Sequence, residues 1–227
     1  MGSRVAACVV AGCTAVVAVV GCSPSSHDAA PTTTTAKAAD YDISRLESLK
    51  DKFPQGYTAQ WFALRRLDER QAESVSDVVG YGDPVTVEPQ ACAVLLKPIH
   101  AGAGTESVAF RADGPSGQQL SVAAQQTTDP FSVDIPSADC DRLSFTAEDP
   151  RGTGTAERLS APTIDGATTA AVKSRVDGGP GVVDYTYYAL VGDRIIVSVH
   201  ERTDENSRPQ QDLSDLLTHA VAAVKAS

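Results

Sequence analysis

The sequence predicts an α+β fold: an antiparallel sheet of about six or seven strands, packed by a C-terminal amphipathic helix and by N-terminal helices. Three observations carry this. From Glu106 onward the chain reads as short period-two segments separated by Gly-, Pro- and Asp-rich turns. It then closes on a helical period, with Leu213, Leu216, Leu217, Ala220, Val221 and Val224 forming one apolar stripe. Short helix signals precede the sheet, and strands in series with helices at both ends define the α+β class.

Taken in order, Ser44 followed by Glu47 has capping-box spacing and opens a short helix that stops before Pro54. Tyr57 to Leu67 reads as a strand with Tyr57 and Trp61 on one face. Asp68 to Val79 is polar with a weak helical period, either helix or loop. Val85 to Val87 is a short strand. Pro89 takes a first-turn position in a helix carrying Cys92, Val94, Leu95 and Leu96, ended by Pro98. The strands that follow are Glu106–Ala112, Gln118–Gln126, Arg142–Glu148, Thr155–Leu159, Ala167–Val176 and Val182–Val191. Gly192-Asp193 is a two-residue turn into a last strand, Arg194–Glu201. The terminal stripe suits packing on the sheet better than binding a partner.

The N-terminus is organised differently. One basic residue, Arg4, precedes an apolar run from Val5 to Val20, and Val19-Val20-Gly21-Cys22 has the form of a lipobox. The expectation is a signal peptide over residues 1–21, lipidation of Cys22, and a mature chain held on the extracytoplasmic face of the cell membrane. A spanning helix needs roughly 20 apolar residues; this run is shorter and is interrupted by Gly12, Cys13 and Thr14. Two or three acyl chains anchor stably where one does not. Residues 22–40 form a Thr/Ala/Pro-rich tether, and 41–227 a single α+β extracytoplasmic domain. Within the tether, Thr32, Thr33, Thr34 and Thr35 beside Pro31 are either O-glycan acceptors or plain spacer.

The formal charge is −10, and removing Arg4 with the signal makes it −11. An acidic chain without a basic cluster argues against nucleic acid. Of five cysteines, Cys8 and Cys13 leave with the signal and Cys22 takes lipid, so Cys92 and Cys140 remain. In an oxidising compartment an even pair reads as a disulfide. Two free thiols or half of a metal site are the alternatives. A bridge over so long a loop contributes on the order of 4 kcal/mol in the chain-entropy model.

Catalytic signatures are lacking, and the expectation is a chain that is not an enzyme and carries no cofactor. Gly114-Pro115-Ser116-Gly117 has its second glycine one residue early for a nucleophile elbow. His200-Glu201 begins like a zinc-protease motif, but no second histidine follows at helical spacing. Gly102 with Gly104, and Gly152 with Gly154, lack the third glycine of a phosphate loop and read as turns. His27, His100, His200 and His219 are scattered, and Asp139-Cys140-Asp141 and Asp204-Glu205 are too few ligands for calcium, so no metal is expected.

One constellation stands out. If Gly192-Asp193 is the turn, Val191 pairs with Arg194, and Tyr188 and Leu190 share a core face with Ile195, Val197 and Val199. The opposite face then presents Tyr185, Tyr187, Ser198 and His200, with Ala189 and Ile196. These rings and polar groups either line a cleft for a lipid or glycan ligand or lie beneath a helix.

With these features in hand, the chain resembles mycobacterial lipoproteins. The stretch from Tyr41-Asp42-Ile43-Ser44-Arg45 to Phe53-Pro54-Gln55-Gly56-Tyr57 looks like a lipoprotein family carrying a domain of unknown function. From about Val85 to Lys225, including Pro89-Gln90-Ala91-Cys92 and Asp139-Cys140, the layout is similar to the extracellular sensor domain of PknH-type kinases. That resemblance implies a sheet-and-helix fold with a cleft for an unidentified ligand, and it matches Cys92 with Cys140. The second disulfide usual in the kinase sensor has no cysteines here. The resulting expectation is a membrane-anchored envelope lipoprotein with a non-catalytic, ligand-binding or sensor-like domain. The alternative is a structural lipoprotein that binds another envelope protein.

Overall fold

The computed structural model describes residues 41–80, 85–135, 139–148, 151–178 and 181–225. The lipobox, Cys22 and the threonine run fall outside the described residues.

The sheet has nine strands, not six or seven. They are β1 (Thr58–Arg66), β2 (Val85–Glu88), β3 (Glu106–Asp113), β4 (Gln119–Gln126), β5 (Arg142–Glu148), β6 (Arg151–Leu159), β7 (Ala167–Val176), β8 (Val182–Val191) and β9 (Ile195–Asp204). Their order is β1-β3-β4-β9-β8-β7-β6-β5-β2, with every neighbouring pair antiparallel. The strands after Glu106 are joined mostly by hairpins, which leave turn signals. The two strands beyond that count, both read as strands from the sequence, close opposite edges of the sheet: among the described residues β1 pairs only with β3 and β2 only with β5. Neither edge pairing is announced by a turn.

Helices cover different halves of the two faces. On one face, the 3₁₀ helix Ile43–Asp51 packs on β1, β3 and β4, and α2 (Gln210–Val224) packs on β8 and β9. The α2 stripe Leu213, Leu216, Leu217, Ala220, Val221 and Val224 is buried as its period predicts. Fully burying a residue such as Leu217 contributes about 2 kcal/mol. On the other face, the 3₁₀ helix Gln90–Leu95 packs on β2 and β7, and its core joins Leu143, Phe145, Val172 and Tyr188. β8 lies between the two cores and is buried at every position except Val182. That double burial explains its largely apolar and aromatic sequence, interrupted by Asp184 and Thr186.

Local details depart from the sequence pattern. The first helix is capped by Asp42, whose carboxylate accepts from the Ser44 amide at 2.9 Å, so the Ser44–Glu47 capping box does not form. Such a box does form at the next helix, where Asp68 and Gln71 open α1 (Glu69–Ser76). Pro89 follows a cis peptide and precedes the Gln90–Leu95 helix. Gly152 and Gly154 lie inside β6, not in a turn. A Cβ on Gly154 would collide with the Phe145 ring and the Arg175 carbonyl, so this glycine makes room for an aromatic on the neighbouring strand. Cys92 and Cys140 form a disulfide with Cα atoms 5.5 Å apart, tying the helix to the segment entering β5.

The last hairpin departs furthest from the sequence pattern. Val191 pairs with Ile195, not with Arg194, so the connection is the three residues Gly192-Asp193-Arg194. Thr127 N–H donates to the Arg194 carbonyl at 2.8 Å and Phe131 N–H to the Asp193 carbonyl at 2.7 Å, which keeps both residues out of the ladder. Because side chains alternate with period two, this single-residue slip exchanges the faces of β9 relative to β8.

Candidate functional site

The sheet's two half-coverings leave part of one face open. Beyond Tyr185, on the face that carries α2, no helix covers β7, β6, β5 and β2 among the described residues. A trough of about 650 Å³ lies there. The local sequence explains the open surface: Arg142, Ser144, Thr146 and Glu148 alternate with Leu143, Phe145 and Ala147, so β5 buries one face and presents polar groups on the other.

The register arranges the trough floor in two rows. Arg142 pairs with Glu157, Glu157 with Lys173, and Lys173 with Tyr185. In the adjacent row, Glu88 pairs with Ser144, Ser144 with Thr155, and Thr155 with Arg175. Strands are about 4.8 Å apart and successive same-face residues about 6.8 Å along a strand. Two hydroxyls, Ser144 and Thr155, therefore sit side by side with Arg142, Arg175 and Lys173 around them. The Lys173 ammonium lies 5.4 Å from the centroid of the Tyr185 ring. Among the described residues no carboxylate comes within ion-pairing distance of Arg142, Lys173 or Arg175. Three cations against Glu88 and Glu157 make the trough locally positive in a chain of net charge −10.

The four residues expected to share a ligand face are not brought together. Tyr185 and Tyr187 lie in the core beside α2, at 0 % and 1 % exposure, with the Tyr185 hydroxyl donating to the Ser207 carbonyl at 3.3 Å. Burial raises the Tyr187 pKa, with the nearby Tyr185 adding to it. Ser198 and His200 project from the opposite face, as the partners of Tyr188 and Thr186. There His200 Nε2 is 3.0 Å from Asp184 Oδ1, and Arg202 binds both oxygens of the same carboxylate at 2.9 and 3.2 Å. Burial alone would raise the Asp184 pKa. The hydrogen bonds and charges of His200 and Arg202 outweigh it and hold the carboxyl below the usual aspartate value. The cluster reads as a structural ion pair.

The trough residues were missed by sequence reasoning because they come from five strands that meet only through register. The available signal was the polar alternation on β5, together with Lys173 and Arg175 at the same parity on β7. Among the described residues, no group of three or more His, Cys, Asp or Glu side chains is placed to hold a metal, and no helix is long and apolar enough to cross a membrane.

Comparison with known proteins places this architecture in a class. The chain belongs to the family named Domain of unknown function (DUF5642), whose profile matches residues 42–225. Among solved structures it is similar to an uncharacterized protein (Rv0999 ortholog) from Mycobacterium smegmatis. That match has a TM-score of 0.65 at 24% identity and covers 82% of this chain and 98% of that one. The extracellular domain of PknH from Mycobacterium tuberculosis matches at a TM-score of 0.42 and 11% identity, covering 80% of this chain and 92% of that one. No curated protein sequence matches the chain. The resemblances read from the sequence, to a mycobacterial family of unknown function and to the PknH extracellular domain, are both found.

Proposed function

We propose that this chain is a cell-envelope lipoprotein, anchored through lipid on Cys22, whose domain is a non-catalytic, sensor-like ligand-binding module. The observation that carries the reading is the trough: a polar, cation-lined concavity on an otherwise well-packed sheet. Lipid anchoring rests on the lipobox Val19-Val20-Gly21-Cys22, which precedes a Thr/Ala/Pro-rich tether. The ligand seat moves from the Tyr185 and Tyr187 rings to the trough beside them because those rings are enclosed.

Two measurements test the proposal. Cys22→Ala should release the protein from the membrane fraction; a variant that keeps the same detergent partitioning rules out the anchor. Native mass spectrometry of the full chain from its own type of host should show a co-purifying small molecule. That molecule should be lost on Arg175→Glu, while thermal stability is kept.

A second reading, docking to another envelope protein, is favoured by the outer edge of β1. Leu64 there is 49 % exposed on a strand whose outer side pairs with no other described strand. Crosslinking from position 64 to an envelope protein, abolished by Leu64→Lys, would support that reading over a small-molecule sensor.

A further inference from the structure

We infer that the trough seats a phosphoryl group, supplied either by a lipid headgroup or by free phosphate, over the Ser144–Thr155 hydroxyl pair. The inference rests on the trough being the ligand seat and names the chemistry it takes. Ser144 and Thr155 are direct cross-strand partners, so their Cβ atoms stand about 5 Å apart and both hydroxyls can donate to one anion. Arg142 lies two residues before Ser144, Arg175 is the cross-strand partner of Thr155, and Lys173 sits diagonally from Thr155. Three cationic residues therefore surround the hydroxyl pair on one face of the sheet. A tetrahedral group with several charged oxygens can satisfy all of them, whereas a planar carboxylate is saturated by one arginine fork.

Other ligand chemistries fit less well. A sugar that stacks needs an exposed ring, and Tyr185 is enclosed beneath Lys173. A metal cation needs converging carboxylates, but Glu88 and Glu157 lie two strands apart, each with a cation nearby. Glu157, between Arg142 and Lys173, lowers their mutual repulsion without pairing with either. The polar row is backed by Leu143, Phe145 and Ala156 on the buried face, which lowers the local dielectric behind the anion. The chain's charge of −10 repels anions at long range, so attraction has to come from these short-range contacts.

The test uses the full chain in micelles of an uncharged detergent, titrated calorimetrically with inorganic phosphate and with glycerophosphoglycerol, a soluble phospholipid headgroup. Binding of either probe is expected to weaken about tenfold in Arg142→Glu and in Arg175→Glu. It should be unchanged in Lys50→Glu, which alters a cation on the Ile43–Asp51 helix. Arg142 and Arg175 are exposed, so melting curves should not move. Tighter binding of glycerophosphoglycerol assigns a lipid headgroup, and tighter binding of phosphate assigns the free anion. Failure of both probes to bind, or equal binding by the variants, overturns the inference. Native mass spectrometry then separates the two levels. A phosphorus-free ligand lost on Arg175→Glu removes the phosphoryl assignment and leaves the trough as the seat; no ligand lost in either variant removes both.

Discussion

Tyr57 donates its hydroxyl to the carboxylate of Glu201, 3.2 Å away across 144 residues of sequence. Tyr57 stands just ahead of β1, and Glu201 lies on β9 beside Tyr185. Burial, then the charge of Glu201, pushes the Tyr57 pKa up to about 12. Burial also raises Glu201; the Tyr57 hydrogen bond opposes it, Asp212 adds to it and His200 opposes it.

A carboxyl with a raised folded-state pKa binds its proton more readily in the native than in the unfolded chain. Its contribution to stability is greatest at low pH and is lost as pH rises from 4.5 through the folded pKa. Glu201→Gln keeps an acceptor for Tyr57 and removes the buried charge. The variant should melt higher than the parent at neutral pH, and the gap should close below pH 4.5. Calorimetry across this range checks it; a pH-independent gap removes the explanation.

Asp184 has the opposite sign. Its folded pKa is depressed, so its stabilising effect is complete above 3.8 and is lost as pH falls through the folded value. Arg202→Ala should destabilise the protein by about 2 kcal/mol at neutral pH, the scale of hydrogen bonds to a charged group. Urea titrations should show that penalty shrinking below pH 3.8, and a constant penalty would contradict the charge-based account.

Gly154→Ala tests the close approach in β6. The added methyl meets the Phe145 ring and the Arg175 backbone, and overpacking of this kind costs about 2 kcal/mol. Phe145→Leu in the same chain should recover part of that loss, because the side chain nearest the new methyl becomes smaller and more flexible. Additive losses would point to the Arg175 carbonyl alone.

Reduction of Cys92–Cys140 should lower the denaturation midpoint by an amount equivalent to about 4 kcal/mol, given a separation of 48 residues. The Cys92→Ser, Cys140→Ser chain should show the same loss. Free thiols that alkylate in the native, unreduced protein would be incompatible with the bridge.

Tyr187→Ala should cost about 4 kcal/mol, as truncation of a buried aromatic does. Ser198→Ala, on the opposite face and partly exposed, should change stability by much less. Equal effects would mean that the two residues share an environment, contrary to the three-residue turn.

The strands themselves were legible. Arg142–Glu148, Ala167–Val176 and Val182–Val191 begin and end where their alternation and flanking turns place them. The α2 stripe was equally clear because six apolar residues recur at helical spacing. Register was not legible. Nothing local to Gly192-Asp193 reveals that Thr127 and Phe131, some sixty residues earlier, bind the turn carbonyls. With the slip, a face that looked amphipathic separated into buried tyrosines and an Asp184–His200–Arg202 cluster. The trough depended on long-range pairing even more: Arg142, Thr155 and Arg175 come together only when β5, β6 and β7 are aligned.

The first and last described residues meet at one pole of the sheet. Tyr41 bridges Lys225, the Asp42 amide donates to the Val224 carbonyl at 2.9 Å, and the Tyr41 ring lies against Gly192. The trough borders the other end of β8, at Val183. Eight residues of strand separate Val183 from Val191, about 27 Å at about 3.4 Å per residue. Fluorophores at Lys225 and at Asp177, in the β7–β8 turn, would therefore report opposite ends of the same strand-length span.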